Sequence, residues 1–249
     1  SNITNEIINP FASILGLSKA ILAVDKENWK KVFSMVALIY TETFNLDFQL
    51  RNIFAAARIE AGEMYPETGK VDICNLVNSL TSTFKIEAKK KNLRFEIISD
   101  DEICVKDSDD AFYFNTDAEK LKLILLNLLN NAVKFSFEDS LITLRIQLKD
   151  NHLIISVKDR GPGLSDEHKK IIFDRFRRVD PGITSTNRGH GLGLSINKAL
   201  LDLLDGTISI ESQAGEGATF TIQIPEIADD PLLTARDDNE LFFNDQTVF

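Results

Sequence analysis

Residue types that often build active sites are scarce in this chain of 249 residues: two cysteines, two methionines, one tryptophan and three histidines. Cys74 and Cys104 lie far apart without the close spacing of a metal knuckle, and are expected as two buried thiols of a reducing cytoplasm. The histidines, His152, His168 and His190, are all in the second half of the chain. No stretch approaches ~18 uninterrupted apolar residues, so no contact with a membrane interior is expected. The opening Ser-Asn-Ile-Thr shows no basic region followed by an apolar core, so no leader is visible, and a cytoplasmic location is expected. A cytoplasmic piece of a larger membrane receptor would look the same. Positive charge is also in deficit, with 28 Lys and Arg against 38 Asp and Glu and a formal net charge of −10. That excludes nucleic acid as the expected partner, because phosphate backbones are gripped by dense basic surfaces. There is no internal repeat. What remains, 43% hydrophobic and 27% charged residues, is ordinary for a soluble globular protein with room for two domains.

The pattern divides the chain in three. Residues 1–66 read as a helical hairpin. Ile3, Ile7, Phe11, Ile14, Leu15 and Leu22 form one stripe of a first helix, which Pro10 must bend. Asp25 to Asn28 breaks it. A second helix runs from Trp29 to Ala61 with Val32, Phe33, Val36, Ile39, Tyr40, Phe44, Phe48, Ile53 and Phe54 expected inside, and Gly62 stops it. One hairpin cannot bury both stripes, so a homodimer forming a four-helix bundle is expected. Residues 71–225 mix strands and helices without regular alternation, which predicts an α+β chain whose second part is an α/β sandwich with a mixed sheet. The expected helices lie near 75–91, 117–135, 165–173 and 192–204. The expected strands lie at 93–99, 111–115, 142–149, 152–158, 207–212 and 218–224. Residues 226–249 are acidic and turn-rich and read as a tail or linker.

Three clusters in the second part carry chemistry. Asn127 and Asn131 are four apart and project from one helical face. An amide oxygen on a rigid helix suits Mg²⁺, and Lys134 is placed to meet phosphate as a point charge. Asp159-Arg-Gly161-Pro-Gly163 follows a strand directly, where a carboxylate beside glycines can accept from an adenine amino group; a plain Asp-Gly turn is the alternative. Gly189-His-Gly191-Leu192-Gly193 opens a helix whose free N–H groups and dipole face phosphate. The loop before it, with Arg177, Arg178 and Arg188, has the length of a lid. Each cluster alone is a weak signal, and their order and spacing are far more specific.

That conjunction resembles the ATP-binding domain of the histidine kinases, of Bergerat (GHKL) type, shared with gyrase, a heat-shock chaperone family and the mismatch-repair ATPases. Asn127 to Lys134 is similar to the N box, Asp159 to Gly163 to the first glycine box, and Phe173 to Phe176 to the aromatic box. Gly189 to Gly193 is similar to the second glycine box, and Gly215-Glu-Gly-Ala-Thr219-Phe220 to the closing strand motif. The resemblance implies ATP and Mg²⁺ as cofactors, with Asn131 holding the metal, Asp159 the adenine, and Lys134 with the lid the phosphates. It covers nearly all of residues 1–225 and implies a response regulator receiver domain as partner.

The hairpin resembles the dimerisation and phosphotransfer region of the same kinases, whose first helix carries Ser/Thr-His-Glu-x-x-Asn/Thr-Pro. Thr4, Glu6, Asn9 and Pro10 match that pattern, but Asn5 stands at the acceptor histidine. An imidazole nitrogen attacks phosphorus near neutral pH, whereas an amide nitrogen, its lone pair delocalised into the carbonyl, does not. Self-phosphorylation is therefore expected to be absent. An engineered substitution and a naturally degenerate kinase both fit, and the second is favoured. Glu6 and Asn9 keep the residues that, in the family, assist phosphoryl transfer and orient the water that dephosphorylates a regulator. A response regulator phosphatase and an ATP-sensing scaffold are thus the competing functions. A gyrase-like ATPase fits poorly, because the position of its carboxylate base is Asn127.

Overall fold

The computed structural model describes residues 2–25, 28–99, 112–174 and 191–227, with residues 2–6 by backbone alone. Helices α1 (Asn2–Leu22) and α2 (Trp29–Glu60) pack against each other as the expected hairpin, with Pro10 inside α1. Gly62, at φ +68°, ends α2 in the left-handed region. There Glu63 N–H donates to Arg58 O and Gly62 N–H to Ile59 O, satisfying carbonyls of the last turn. The apolar stripe is only partly covered. Phe33 is 72% exposed and Phe11 58%, whereas Phe44 stacks on Phe48 and meets the Phe84 ring edge-on at 5.4 Å. The expectation that Phe33, Val36, Tyr40 and Phe54 lie inside is not met within one chain, because two helices offer one shared face and α2 spends part of its surface on the second half of the molecule.

The helix expected over 75–91 is two helices, α3 (Ile73–Thr83) and α4 (Lys85–Lys90). They separate at Phe84, whose N–H turns back onto Thr81 O at 3.2 Å and whose side chain is fully buried. Strand β1 (Gly69–Asp72), absent from the sequence reading, pairs antiparallel with β3 (Tyr113–Thr116) in a separate ribbon. The main sheet holds β2 (Arg94–Ser99), β4 (Leu141–Lys149), β5 (His152–Lys158), β6 (Thr207–Gln213) and β7 (Gly217–Pro225) in the order β2-β4-β5-β7-β6. Only β2 and β4 run parallel, so the sheet is mixed as expected. The β4–β5 turn has Asp150 and Asn151 at φ 50° and 58°, the two left-handed residues that a tight hairpin demands.

Helix α5 (Ala118–Phe135) is capped by Asp117, whose Oδ1 accepts from Lys120 N–H at 2.9 Å. Leu121, Ile124, Leu125, Leu128 and Leu129 are at most 1% exposed. They meet the inward residues of the sheet, among them Leu153, Ile155 and Val157, and burial stabilises each such side chain by about 1.5–3 kcal/mol. Helix α7 (Gly193–Leu203) packs beside α5, and α6 (Asp166–Ile171) is capped by Ser165. Cys74 is not the separate thiol expected: it is disulfide-bonded, and the chain's other cysteine, Cys104, lies outside the described residues. Among the described residues no helix is long and apolar enough to cross a membrane.

Candidate functional site

The C-terminal half of α5, the loop after β5, the start of β7 and the N-terminus of α7 meet at one end of the sheet. Close backbone contacts hold them there. Phe137 N–H donates to Arg160 O at 3.0 Å, tying the end of α5 to the β5 loop. A Cβ on Gly161 would lie 2.5 Å from Phe135 O, and one on Gly163, at φ +65°, 2.0 Å from Gln213 O. Glycine at both positions is therefore a matter of space, not of turn propensity alone. The C-terminus of α5 has a cation as its cap: Lys91 Nζ donates to Val133 O, Lys134 O and Ser136 O at 3.1, 2.6 and 3.2 Å. Burial lowers the Lys91 pKa, against the pull of Glu138.

Asp159 is 6% exposed at the end of β5. Its Oδ1 accepts from Gly161 N–H at 2.9 Å and Ala218 N–H at 3.3 Å. Burial raises its pKa to about 6, against the two backbone donors that favour the charged form. Two N–H groups on one oxygen leave the other to a donor from outside. On α5, Asn127 is 1% exposed and turned against α7, donating from Nδ2 to Asn197 Oδ1 at 2.7 Å and Gly193 O at 3.3 Å. Asn131 and Lys134 are half-buried further along α5, with Lys134 Nζ 5.1 Å from the centroid of the Phe135 ring. Gly191, at φ +67°, and Leu192 lead into α7, whose first turn has no side-chain cap among the described residues, and N–H groups at such a helix start suit an anion.

The contacts thus join Asn127 to Gly193, and Asp159 to Gly161, Ala218 and Gly217, beside which Gly163 sits. Thr219 is not among them. Strand alternation sets it on the sheet face of Lys158 and Glu211, opposite Ala218 and Phe220, and Ala218 is the residue whose N–H reaches Asp159. Asn9 is exposed on α1, while the side chains of Asn5 and Glu6 lie outside the described residues, as do Arg177, Arg178, Arg188 and Gly189. Sequence reasoning missed Lys91 and Asn197, since neither stands in a motif. It also missed Asp117 Oδ2, which accepts from Glu67 N–H at 2.7 Å and pairs with the Lys120 ammonium, pinning the segment after α2 to the start of α5.

Residues 116–228 match the family model described as histidine kinase-, DNA gyrase B-, and HSP90-like ATPase. The sensor histidine kinase TmoS of Ectopseudomonas mendocina is 28% identical over the whole chain, which spans 25% of that relative's length. The chain is a sensor histidine kinase core. Two solved structures share the fold of this core. Full-length ShkA in complex with AMPPNP superposes with a TM-score of 0.62 at 24% identity over 90% of the chain and 44% of ShkA. Histidine kinase ThkA in complex with response regulator protein TrrA gives 0.55 at 23% identity over 90% of the chain and 60% of ThkA. The core spans only part of its curated relative, so the activity and partners of the whole protein are matters for proposal.

Proposed function

We propose that this histidine kinase core binds Mg-ATP at the end of the sheet and does not phosphorylate itself, because Asn5 occupies the acceptor position. The observation that carries the nucleotide reading is the convergence of a buried carboxylate with one free oxygen, an uncapped helix N-terminus and the Asn127–Lys134 face of α5. In this reading Asp159 accepts from the adenine amino group, while Gly161 and Gly163 let the base approach. Gly191, Leu192 and Gly193 present α7 to the phosphates, and Lys134 adds a point charge. Arg178 and Gly189 belong to the same reading from sequence. The residues fit Mg²⁺: Asn131 offers a hard amide oxygen, and Asn127 Oδ1 is a buried acceptor without a partner. When bound, the metal supplies charge neutralisation on the phosphates. The binding of AMPPNP by ShkA and of TrrA by ThkA supports a nucleotide and a response regulator as ligands of this chain.

The exposed Phe11, Leu15 and Phe33 support a homodimer in which a second hairpin covers them. Glu6 and Asn9, three apart on α1, support dephosphorylation of a response regulator as a second activity. Calorimetric titration with Mg-ATP tests the main reading. Binding is expected for the chain as it stands and for Asn5→His, and its loss is expected in Asp159→Ala and Asn131→Ala. Equal affinity in all four would overturn the placement of the site. For the second activity, a phosphorylated regulator losing phosphate equally fast with and without the protein would remove it.

A further inference from the structure

The amide of Asn127 is held in one orientation by a chain of bonds that starts on a backbone carbonyl. Asn197, on α7 and 0% exposed, donates from Nδ2 to Ile124 O at 3.1 Å. A carbonyl only accepts, so Asn197 must turn its amine toward Ile124 O and its Oδ1 toward Asn127, from whose Nδ2 it accepts at 2.7 Å. The remaining N–H of Asn127 is directed to Gly193 O at 3.3 Å. Both donors are used, and Asn127 Oδ1 is left buried with no partner. It faces the first residue of α7, where a Cβ on Gly193 would lie 3.2 Å from it. Leaving a buried acceptor unmatched disfavours the free state, and a ligand that brings a donor or a cation removes the penalty.

We propose that Asn197 is a positioning residue for the metal–nucleotide complex: it locks the Asn127 amide with its oxygen toward Gly193, so that the entry of α7 holds an unmatched acceptor for a hydrated cation. A phosphate oxygen, itself an acceptor, gains nothing from Oδ1, whereas a metal-bound water donates to it. The two amides therefore distinguish a metal-loaded nucleotide from a metal-free one, although α7 alone would attract both. Asn197 acts through Asn127 and touches no ligand. Only a side chain with one donor and one acceptor at this reach relays the polarity of Ile124 O: valine carries neither, and the single hydroxyl of threonine reaches one partner. The inference rests on the nucleotide reading above.

The test is calorimetric titration of the full chain with ATP, once with Mg²⁺ and once with a chelator, for the unsubstituted protein, Asn197→Val, Asn197→Thr and Leu200→Val. Leu200 is fully buried on the same helix and serves as a control for loosened packing. Both Asn197 variants are expected to lose about tenfold in affinity for Mg-ATP, with less than about twofold change for metal-free ATP. Leu200→Val is expected to keep the full gain from Mg²⁺. If Asn197→Val does not fold, the threonine variant, close to asparagine in volume, gives the result. A magnesium gain that survives in the Asn197 variants, or that falls equally in Leu200→Val, overturns the proposal. Failure of the unsubstituted chain to bind ATP under either condition overturns the nucleotide reading itself and the inference with it.

Discussion

Replacing Asp159 by Asn is expected to stabilise the nucleotide-free protein while removing its hold on adenine. Burial lifts the Asp159 carboxyl from 3.8 to about 6, so holding it ionised at neutral pH costs about 3 kcal/mol. The unfolded chain ionises at the lower value. Between about pH 4 and 6 the folded chain therefore binds more protons, and the contribution of this group to stability falls as pH rises through that window. Asparagine carries no charge and keeps an oxygen for Gly161 N–H and Ala218 N–H. Its new amine lacks an assured partner, which returns roughly 1–2 kcal/mol. The net gain is then about 1–2 kcal/mol near pH 7.5, or about 3–6 °C in Tm for a chain of this size. Near pH 4, where the folded aspartate is already protonated, the ionisation penalty is gone and only the cost of the amine remains, so the variant is expected to be less stable than the parent by roughly 1–2 kcal/mol. Thermal unfolding followed by circular dichroism at the two pH values measures it. A variant no more stable than the parent at pH 7.5, or a gain of equal size at both pH values, refutes the assignment of a penalised carboxylate.

Other perturbations separate the supports of the site. Lys91→Met removes a cation from three carbonyls at the end of α5 and is expected to cost about 2–3 kcal/mol in urea unfolding; a loss below about 0.5 kcal/mol would deny it that role. Gly163→Ala combines a left-handed φ with a Cβ 2.0 Å from Gln213 O, so a loss of about 3 kcal/mol or more is expected by the same measurement. Unchanged stability would mean that the β5 loop approaches β6 less closely than described. Phe33→Glu places a charge on the most exposed ring of α2 and is expected to shift the chain from dimer to monomer by light scattering. A parent already monomeric at micromolar concentration would contradict the covered hairpin.

Elements with a strong local pattern were legible in the sequence. The stripe of α5 and its Asp117 cap, the β4–β5 hairpin with its Asp-Asn turn, and the close of α2 at Gly62 all lie where periodicity and turn chemistry place them. The break at Phe84 was not legible, because Leu80, Phe84 and Ala88 continue a helical stripe and only packing decides that the axis changes there. Strand β1 is four residues long and gains its ladder from β3, so Gly69–Asp72 carries no period of its own. In the candidate site, motif order pointed to Asp159, which is buried at the end of β5, and to the entry of α7. Thr219 stands one residue from Ala218, whose N–H reaches Asp159, and in a strand that sets its side chain on the other face. Lys91 and Asn197 escaped notice because each acts on a partner distant in sequence, Ser136 and Ile124 among them.

The most direct measurement is acid-labile phosphoryl incorporation from labelled Mg-ATP, comparing the chain with its Asn5→His variant. With a competent nucleotide site and a missing acceptor, the variant alone becomes labelled and the parent stays blank. Label on the parent would show that Asn5 does not silence the kinase. No label on either protein, with ATP bound to both, would show that more than the acceptor has been lost.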